Sequence, residues 1–167
     1  FIVRGRSSVS PTQAMTIGTI SSCVKIISED CSTLDVYVEK KVQEKYEVDY
    51  AHYLNNTFQD PSDQHSFQTI LQALIGNSGF SGNGVAPIKK HKRTGRIESI
   101  ELRTFQEVSI YQPGDRRDVW YQTIDNNRTS QLLRQDEVLH LMAFTLDGYI
   151  GLSPISMAER SVSMSSA

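Results

Sequence analysis

The sequence predicts an α+β fold, a mostly antiparallel set of β-strands and hairpins packed with two amphipathic helices and joined near the end by the start of a further helix. Apolar residues recur at helical spacing in the first third of the chain and again between residues 63 and 77. From Val85 onward the pattern changes to short alternating stretches cut by Gly, Pro, Asn and Asp. The whole holds 167 residues with 38% hydrophobic and 22% charged content, the balance of one domain with one core, so residues 1–167 read as a single unit.

The first helix opens at Ser10-Pro11-Thr12-Gln13, where Ser10 caps, Pro11 fits the first helical position and Gln13 completes a capping box; residues 1–10 read as an N-terminal extension. Ile20, Cys23, Val24, Ile27, Cys31 and Leu34 then share one face, which predicts a continuous core-packing helix of about five turns. Asp35 to Glu39, a lysine-bearing turn and Val42 to Tyr46 read as a β-hairpin. An irregular stretch from Tyr50 to Pro61 leads to a second helix that Asp63 caps, with Phe67, Ile70, Leu71, Leu74 and Ile75 buried and Gly76-Asn77 as its stop. Strands follow at Val85–His91, Ile97–Arg103, Val108–Gln112, Val119–Ile124, Ser130–Leu133 and Val138–Met142, separated by Thr94-Gly95, Pro113-Gly114-Asp115 and Asp125-Asn126-Asn127. Short links favour antiparallel neighbours. Ser153-Pro154 repeats the cap-plus-proline start and opens a last helix from Ile155 onward.

Charge and cysteine content narrow the function classes. A net charge of −2 gives the surface as a whole no reason to seek nucleic acid or an anionic membrane, and no apolar run has transmembrane length. Cys23 and Cys31 lie eight residues apart on one helix, roughly 12 Å at ~1.5 Å per residue, beyond the ~7 Å a disulfide spans. They are expected as free thiols. The chain starts at Phe1 and ends at Met164-Ser165-Ser166-Ala167 inside a helical pattern with no stop signal, so it is expected to be a piece of a longer protein.

Tests for chemistry come out negative. Gly76, Gly79, Gly82 and Gly84 crowd one segment, yet Val85-Ala86 stands where a Walker loop needs lysine and a hydroxyl, and the helix precedes rather than follows. A flexible turn with close backbone approach is the simpler reading. Gly151-Leu152-Ser153-Pro154-Ile155 is half of a nucleophile elbow, but Ile155 occupies the second glycine position and Pro154 explains Ser153 as a cap. His52, His65, His91 and His140 form no ligand pair, and Asp60, Asp63 and His65 fit turn and cap roles better than a metal site, so no cofactor or metal is expected. Lys89, Lys90, Lys92 and Arg93, around His91, make one basic run. A solvated hairpin tip is its default; a nucleic-acid-binding module contacting phosphates through it is the alternative function.

Taken together, several segments resemble the portal proteins of tailed bacteriophages in their long-tailed-phage branch. Val24-Lys25-Ile26-Ile27-Ser28 with Leu34-Asp35-Val36-Tyr37 resembles the family's opening helix and strand. His52-Tyr53-Leu54, Phe67 and Leu74-Ile75-Gly76-Asn77 resemble its next block, and Asp136-Glu137-Val138-Leu139-His140-Leu141 its acidic-apolar-histidine strand. Asp147-Gly148-Tyr149-Ile150-Gly151-Leu152-Ser153-Pro154-Ile155 resembles its most recognisable motif. Pro61-Ser62 and Ser78-Gly79 depart from the pattern, which has Pro-Asn and an aromatic there.

The resemblance implies a non-enzymatic subunit of a homo-oligomeric ring, usually of twelve copies, at one capsid vertex. Double-stranded DNA passes through that ring during packaging by the terminase motor and during ejection, and capsid and head-tail connector proteins bind it. The protein would then be assembled in the bacterial host cytoplasm, be found in the virion and have no membrane contact. The chain would be the N-terminal wing region, and residues 154–167 would begin a helix leading towards the stem. Architectural roles follow for Gly76, Asn77, Asp136, Glu137, His140, Asp147, Gly148, Gly151, Ser153 and Pro154, with His140 expected to pin its strand through a partner at the sheet edge.

Overall fold

The computed structural model describes residues 10–114, 118–124 and 128–158. Most of the N-terminal extension, the turn residues Asp115 and Asp125-Asn126-Asn127, and the last helix beyond residue 158 lie outside the described residues.

Helix α1 (Pro11–Thr16) starts on local chemistry: Ser10 Oγ accepts from Gln13 N at 3.2 Å, and Gln13 Oε1 accepts from Ser10 N at 2.8 Å. It does not run on as one long helix. Ile17 takes extended backbone, with φ −84° and ψ 108°, and α2 (Gly18–Ser32) begins after it. Glycine is a poor helix former, which makes the break cheap there, and Thr16 Oγ1 donates to Gln13 O at 2.7 Å to close α1 locally.

The face that α2 buries also differs from the expected one. Ile20 and Val24 pack inward and Ser28 and Ser32 are buried, whereas Cys23, Ile27, Cys31 and Leu34 are exposed. Closeness of approach accounts for the choice. A Cβ at Gly79 on the facing helix would lie 3.0 Å from Val24 Cγ1, so small residues on both helices let them pack at short range.

The hairpin consists of β1 (Glu39–Val42) and β2 (Lys45–Val48), paired antiparallel from Glu39↔Val48 to Val42↔Lys45, with Gln43 at φ +57° in the turn. It starts at Glu39 rather than Asp35, because Val36 finds no core and stays exposed. The stretch expected to be irregular contains α3 (Tyr53–Gln59), capped by His52 Nδ1 accepting from Leu54 N at 3.3 Å.

Helix α4 (Phe67–Ser81) is capped by Ser66, not Asp63, through Thr69 N at 3.2 Å. It passes through Gly76-Asn77 and stops at Gly82, whose φ of +89° is the left-handed turn that ends a helix. The expected stop was therefore misplaced, and so was the flexible glycine turn: Gly76 and Gly79 are helical, Gly82 caps, and Gly84 lies in a strand. A Cβ at Gly76 would meet nothing within 4 Å. Gly76→Ala is accordingly expected to stabilise the chain by roughly 0.5–1 kcal/mol, read as a melting temperature raised by about 1–4 °C in thermal unfolding.

Eight residues form β3 (Asn83–Lys90), the strand that organises the rest. Residues 83–87 pair antiparallel with β8 (Val138–Met142), and residues 88–90 pair with β4 (Ile97–Ile100), giving the order β4-β3-β8. Pro87 sits where one partner gives way to the other, so its missing N–H interrupts neither ladder. A second antiparallel sheet is ordered β5 (Val108–Tyr111), β6 (Trp120–Ile124), β7 (Ser130–Arg134). The β3–β8 pairing crosses the whole strand region and does not follow from short links.

Alternation along β3 sends its residues to two cores. Ala86 faces α4 and joins Ile70, Leu74 and Ile100, with Leu141 of β8 against them. Val85 faces the second sheet and joins Val119, Tyr121 and Val138. A third cluster of Ala14, Phe80 and Ile155, with Ile20 and Val24, ties α1, α2 and α4 to a last helix, α5, described at 154–158. The fold is α+β in layers: α2 on α4, α4 on the β4-β3-β8 sheet, and the β5-β6-β7 sheet on its other side.

Candidate functional site

His140, Gly151 and Ser153 of the sequence motifs converge at the corner where α4 becomes β3. Register places His140 opposite Val85, so His140 shares the face of Asn83 and Val85 that looks towards the second sheet. His140 Nε2 lies 3.0 Å from Asn83 Oδ1 and its Nδ1 2.9 Å from Tyr121 Oη. Asn83 Oδ1 can only accept, so Nε2 carries the proton and Tyr121 donates to Nδ1; this assignment comes from the hydrogen-bond network. The histidine, on the edge strand β8, thus joins β8 to β3 and β6.

Asn83 is the hub. Its Oδ1 also accepts from Gly151 N at 2.7 Å, while its Nδ2 donates to Gly151 O at 2.9 Å, so one side chain satisfies both backbone groups of a residue 68 positions away. Gly151 must be glycine here, because a Cβ on it would lie 1.9 Å from Gly82 O. Ala143 N donates to that same Gly82 oxygen at 2.9 Å. Ser153 Oγ donates to Phe80 O at 2.9 Å and accepts from Ser156 N at 3.4 Å, so one hydroxyl both docks α5 to the end of α4 and caps its first turn.

The loop between β8 and α5 is shaped from within. Asp147 Oδ1 accepts from Tyr149 N at 2.8 Å, Ile150 N at 3.0 Å and Thr145 Oγ1 at 3.0 Å. These donors, Tyr149 N first, hold the Asp147 carboxyl below its usual range. Gly148, at φ +77°, takes the left-handed turn, and its N–H donates to Thr145 Oγ1 at 3.0 Å. A bridge between Thr145 and Gly151 closes the loop.

Other motif residues lie elsewhere. Asn77 Nδ2 donates to Arg103 O at 2.9 Å and so fastens the segment after β4 to α4; Gly76 beside it is a helical residue in open space. Asp136 and Glu137 stand in the short turn before β8, where Glu137 Oε2 accepts from Arg134 N at 2.8 Å and Asp136 pairs with Lys90 at 3.0 Å. Asn83 and Tyr121 carry the junction without having been singled out in the sequence. The signal that existed was Asn83 directly after a helix-ending glycine.

The basic run is largely offset. Lys89 pairs with Glu101, which also holds the buried Arg103, Lys90 pairs with Asp136, and His91 Nε2 lies 4.0 Å from Glu98. Arg96 stacks over the Tyr53 ring at 5.0 Å. Lys92 and Arg93 remain at the hairpin tip with no acidic partner among the described residues. Among those residues no cluster of three or more His, Cys, Asp or Glu can hold a metal, and no helix is long and apolar enough to cross a membrane.

Burial holds the His140 imidazole well below its ordinary 6.5, at about 4. Between those values the unfolded chain binds a proton that the folded chain does not, so stability falls as pH drops through that window. The melting temperature is expected to decrease by about 2–4 °C from pH 7 to pH 5, and His140→Gln should flatten the profile. An unchanged slope in that variant would show that His140 is not the group responsible.

The same fold occurs in known proteins. Residues 19–167 match the family model described as phage portal protein. The portal protein of Enterobacteria phage HK97 is 26% identical over 168 residues, covering 98% of this chain and 38% of the relative. Among solved structures, a chain in the neck of an empty gene transfer agent particle, determined with sixfold symmetry, superposes with a TM-score of 0.72 at 19% identity, over 98% of this chain and 44% of that one. A chain of the native gene transfer agent virion gives 0.69 at 18% identity, over 97% and 42%. One in the native neck, determined with twelvefold symmetry, gives 0.63 at 18% identity, over 95% and 43%. The chain thus spans well under half the length of each relative.

Proposed function

This chain belongs to the phage portal protein family, and from that premise we propose that it is the wing-region part of a structural subunit whose complete form builds a ring at one capsid vertex. In this reading residues 1–167 are one domain, α5 leads towards the stem, and the ring, usually of twelve copies, is the conduit for DNA packaging and ejection and the seat of the head-tail connector. Terminase, capsid and connector proteins are its partners, double-stranded DNA its cargo, the host cytoplasm its place of assembly and the virion its destination. The observation that carries the proposal is the family match across residues 19–167. The symmetric necks in which chains of the same fold sit support the ring.

Chemistry at the junction supports a non-enzymatic role. The Ser153 proton is committed to a carbonyl oxygen and His140 to Tyr121 and Asn83, so neither is paired as nucleophile and base. In a direct test, electron microscopy of the full-length protein should show rings with a central channel. Monomers under all assembly conditions, or an assembly of another kind, would overturn the proposal. Steeply salt-dependent DNA binding by the isolated chain, abolished by Lys92→Ala with Arg93→Ala, would instead promote the basic tip to a functional contact.

A further inference from the structure

The helix that packs by its small residues leaves its larger apolar ones outside. On α2 the outward face carries Ile26 and Ile27, which are 57% and 56% exposed, and Leu34, just beyond the helix, is 68% exposed. Cys23 and Cys31 lie exposed on the Ile27 stripe at i, i+4 and i+8 spacing. Val36 and Tyr37 extend this surface into an open groove of about 700 Å³, which Phe58 and Phe67 also line, their rings 4.8 Å apart. So many large apolar side chains gathered on one exposed face mark an interaction site.

The β1–β2 hairpin rises beside that groove with no element packed behind it among the described residues. All its residues but Val48 are exposed. It is tied down at its base, where Val38 N donates to Asn55 Oδ1 at 3.1 Å, Asn55 Nδ2 donates to Asp49 O and Asp49 N donates to Val38 O at 2.7 Å. A two-stranded hairpin with no packed face is at best marginally stable in water. Its side chains carry both signs, Glu39, Lys40, Lys41, Glu44, Lys45, Glu47, and on α2 Lys25 pairs with Glu29 at 3.7 Å. Large apolar side chains interrupted only by Asp30 and Asp35, with a rim of mixed charge, have the anatomy of a protein–protein interface.

We propose that the outward face of α2, with the groove from Leu34 to Phe67, is the surface on which a second copy of this chain seats. The inference rests on the ring-subunit reading above. In a closed ring each subunit presents two different surfaces, one to each neighbour, and the relatives' fold is found in necks of sixfold and twelvefold symmetry. The face offers a central apolar cluster to one neighbour, and the hairpin reaches past it as the rim that registers the contact.

Cys23 and Cys31 are built-in reporters. Full-length protein, as assembled rings and as dissociated subunits, would be treated with a maleimide and the modification at each cysteine followed by peptide mass spectrometry. Both thiols are expected to react rapidly in dissociated subunits and at least tenfold more slowly in rings. Ile27→Asp combined with Leu34→Asp should leave the circular dichroism and melting of the dissociated subunit unchanged while abolishing rings. Equal reactivity in rings and subunits would overturn the inference and leave the ring reading intact. Protection already present in dissociated subunits would also overturn it, by showing that the protein's own remaining chain covers the face. Failure of the unmodified protein to form rings at all would bring down the ring reading and the inference together.

Discussion

Gly84→Ala is expected to destabilise the chain by about 3 kcal/mol or more, among the largest effects of any single methyl group here. Gly84 lies on the face of β3 that meets α4, and a Cβ there would fall 2.1 Å from Leu74 O and 2.8 Å from its carbonyl carbon. Those are backbone atoms inside a helix and cannot rotate away. Relief requires β3 and α4 to separate, which opens the cluster of Ile70, Leu74, Ala86 and Ile100. Urea denaturation with the melting temperature as a second readout would measure the loss. The contrast with Gly76→Ala, eight residues earlier in open space, isolates steric position from glycine content; a Gly84→Ala chain melting with the wild type would refute the packing described.

Asn83→Ala is the second large effect, an expected loss of about 2–4 kcal/mol. It removes the bonds to Gly151 N, Gly151 O and His140 Nε2 together, leaving three part-buried groups on two segments without their partner. Asn83→Asp keeps the acceptor but not the donor to Gly151 O, so its loss should be smaller. It also sets a carboxylate beside His140, which favours the protonated imidazole. The Asp variant is therefore expected to lose less stability than the wild type between pH 7 and pH 5, and melting curves at the two values would show it.

Short-range chemistry was legible in the sequence, and long-range choice was not. Ser10, Pro11 and Gln13 announce a helix start because their bonds span three residues, and Ser153-Pro154 announces another for the same reason. The strands from Val85 to Met142 stand close to where alternation puts them. The portal resemblance was likewise carried by short local stretches, Asp147 to Ile155 the most recognisable of them. By contrast, α2 has two candidate faces, and the more hydrophobic one, through Ile27 and Leu34, turned outward while Val24 packs on Gly79 of α4 and Ser28 and Ser32 are buried. Gly76-Asn77 is as compatible with a helix interior as with its end, and only the left-handed Gly82 decides. The partners of His140 lie 19 and 57 residues away, so no local pattern could name Tyr121 and Asn83.

The bond between Asn83 and Gly151 also orders events in time. Because 68 residues separate its ends, every residue up to Gly151 must leave the ribosome before this closure can form. The α4–β3 corner can assemble early from local contacts, but the direction of α5 stays undetermined until the final loop arrives and locks onto it. Whatever follows α5 in a nascent polypeptide therefore receives its heading late, from a template finished beforehand.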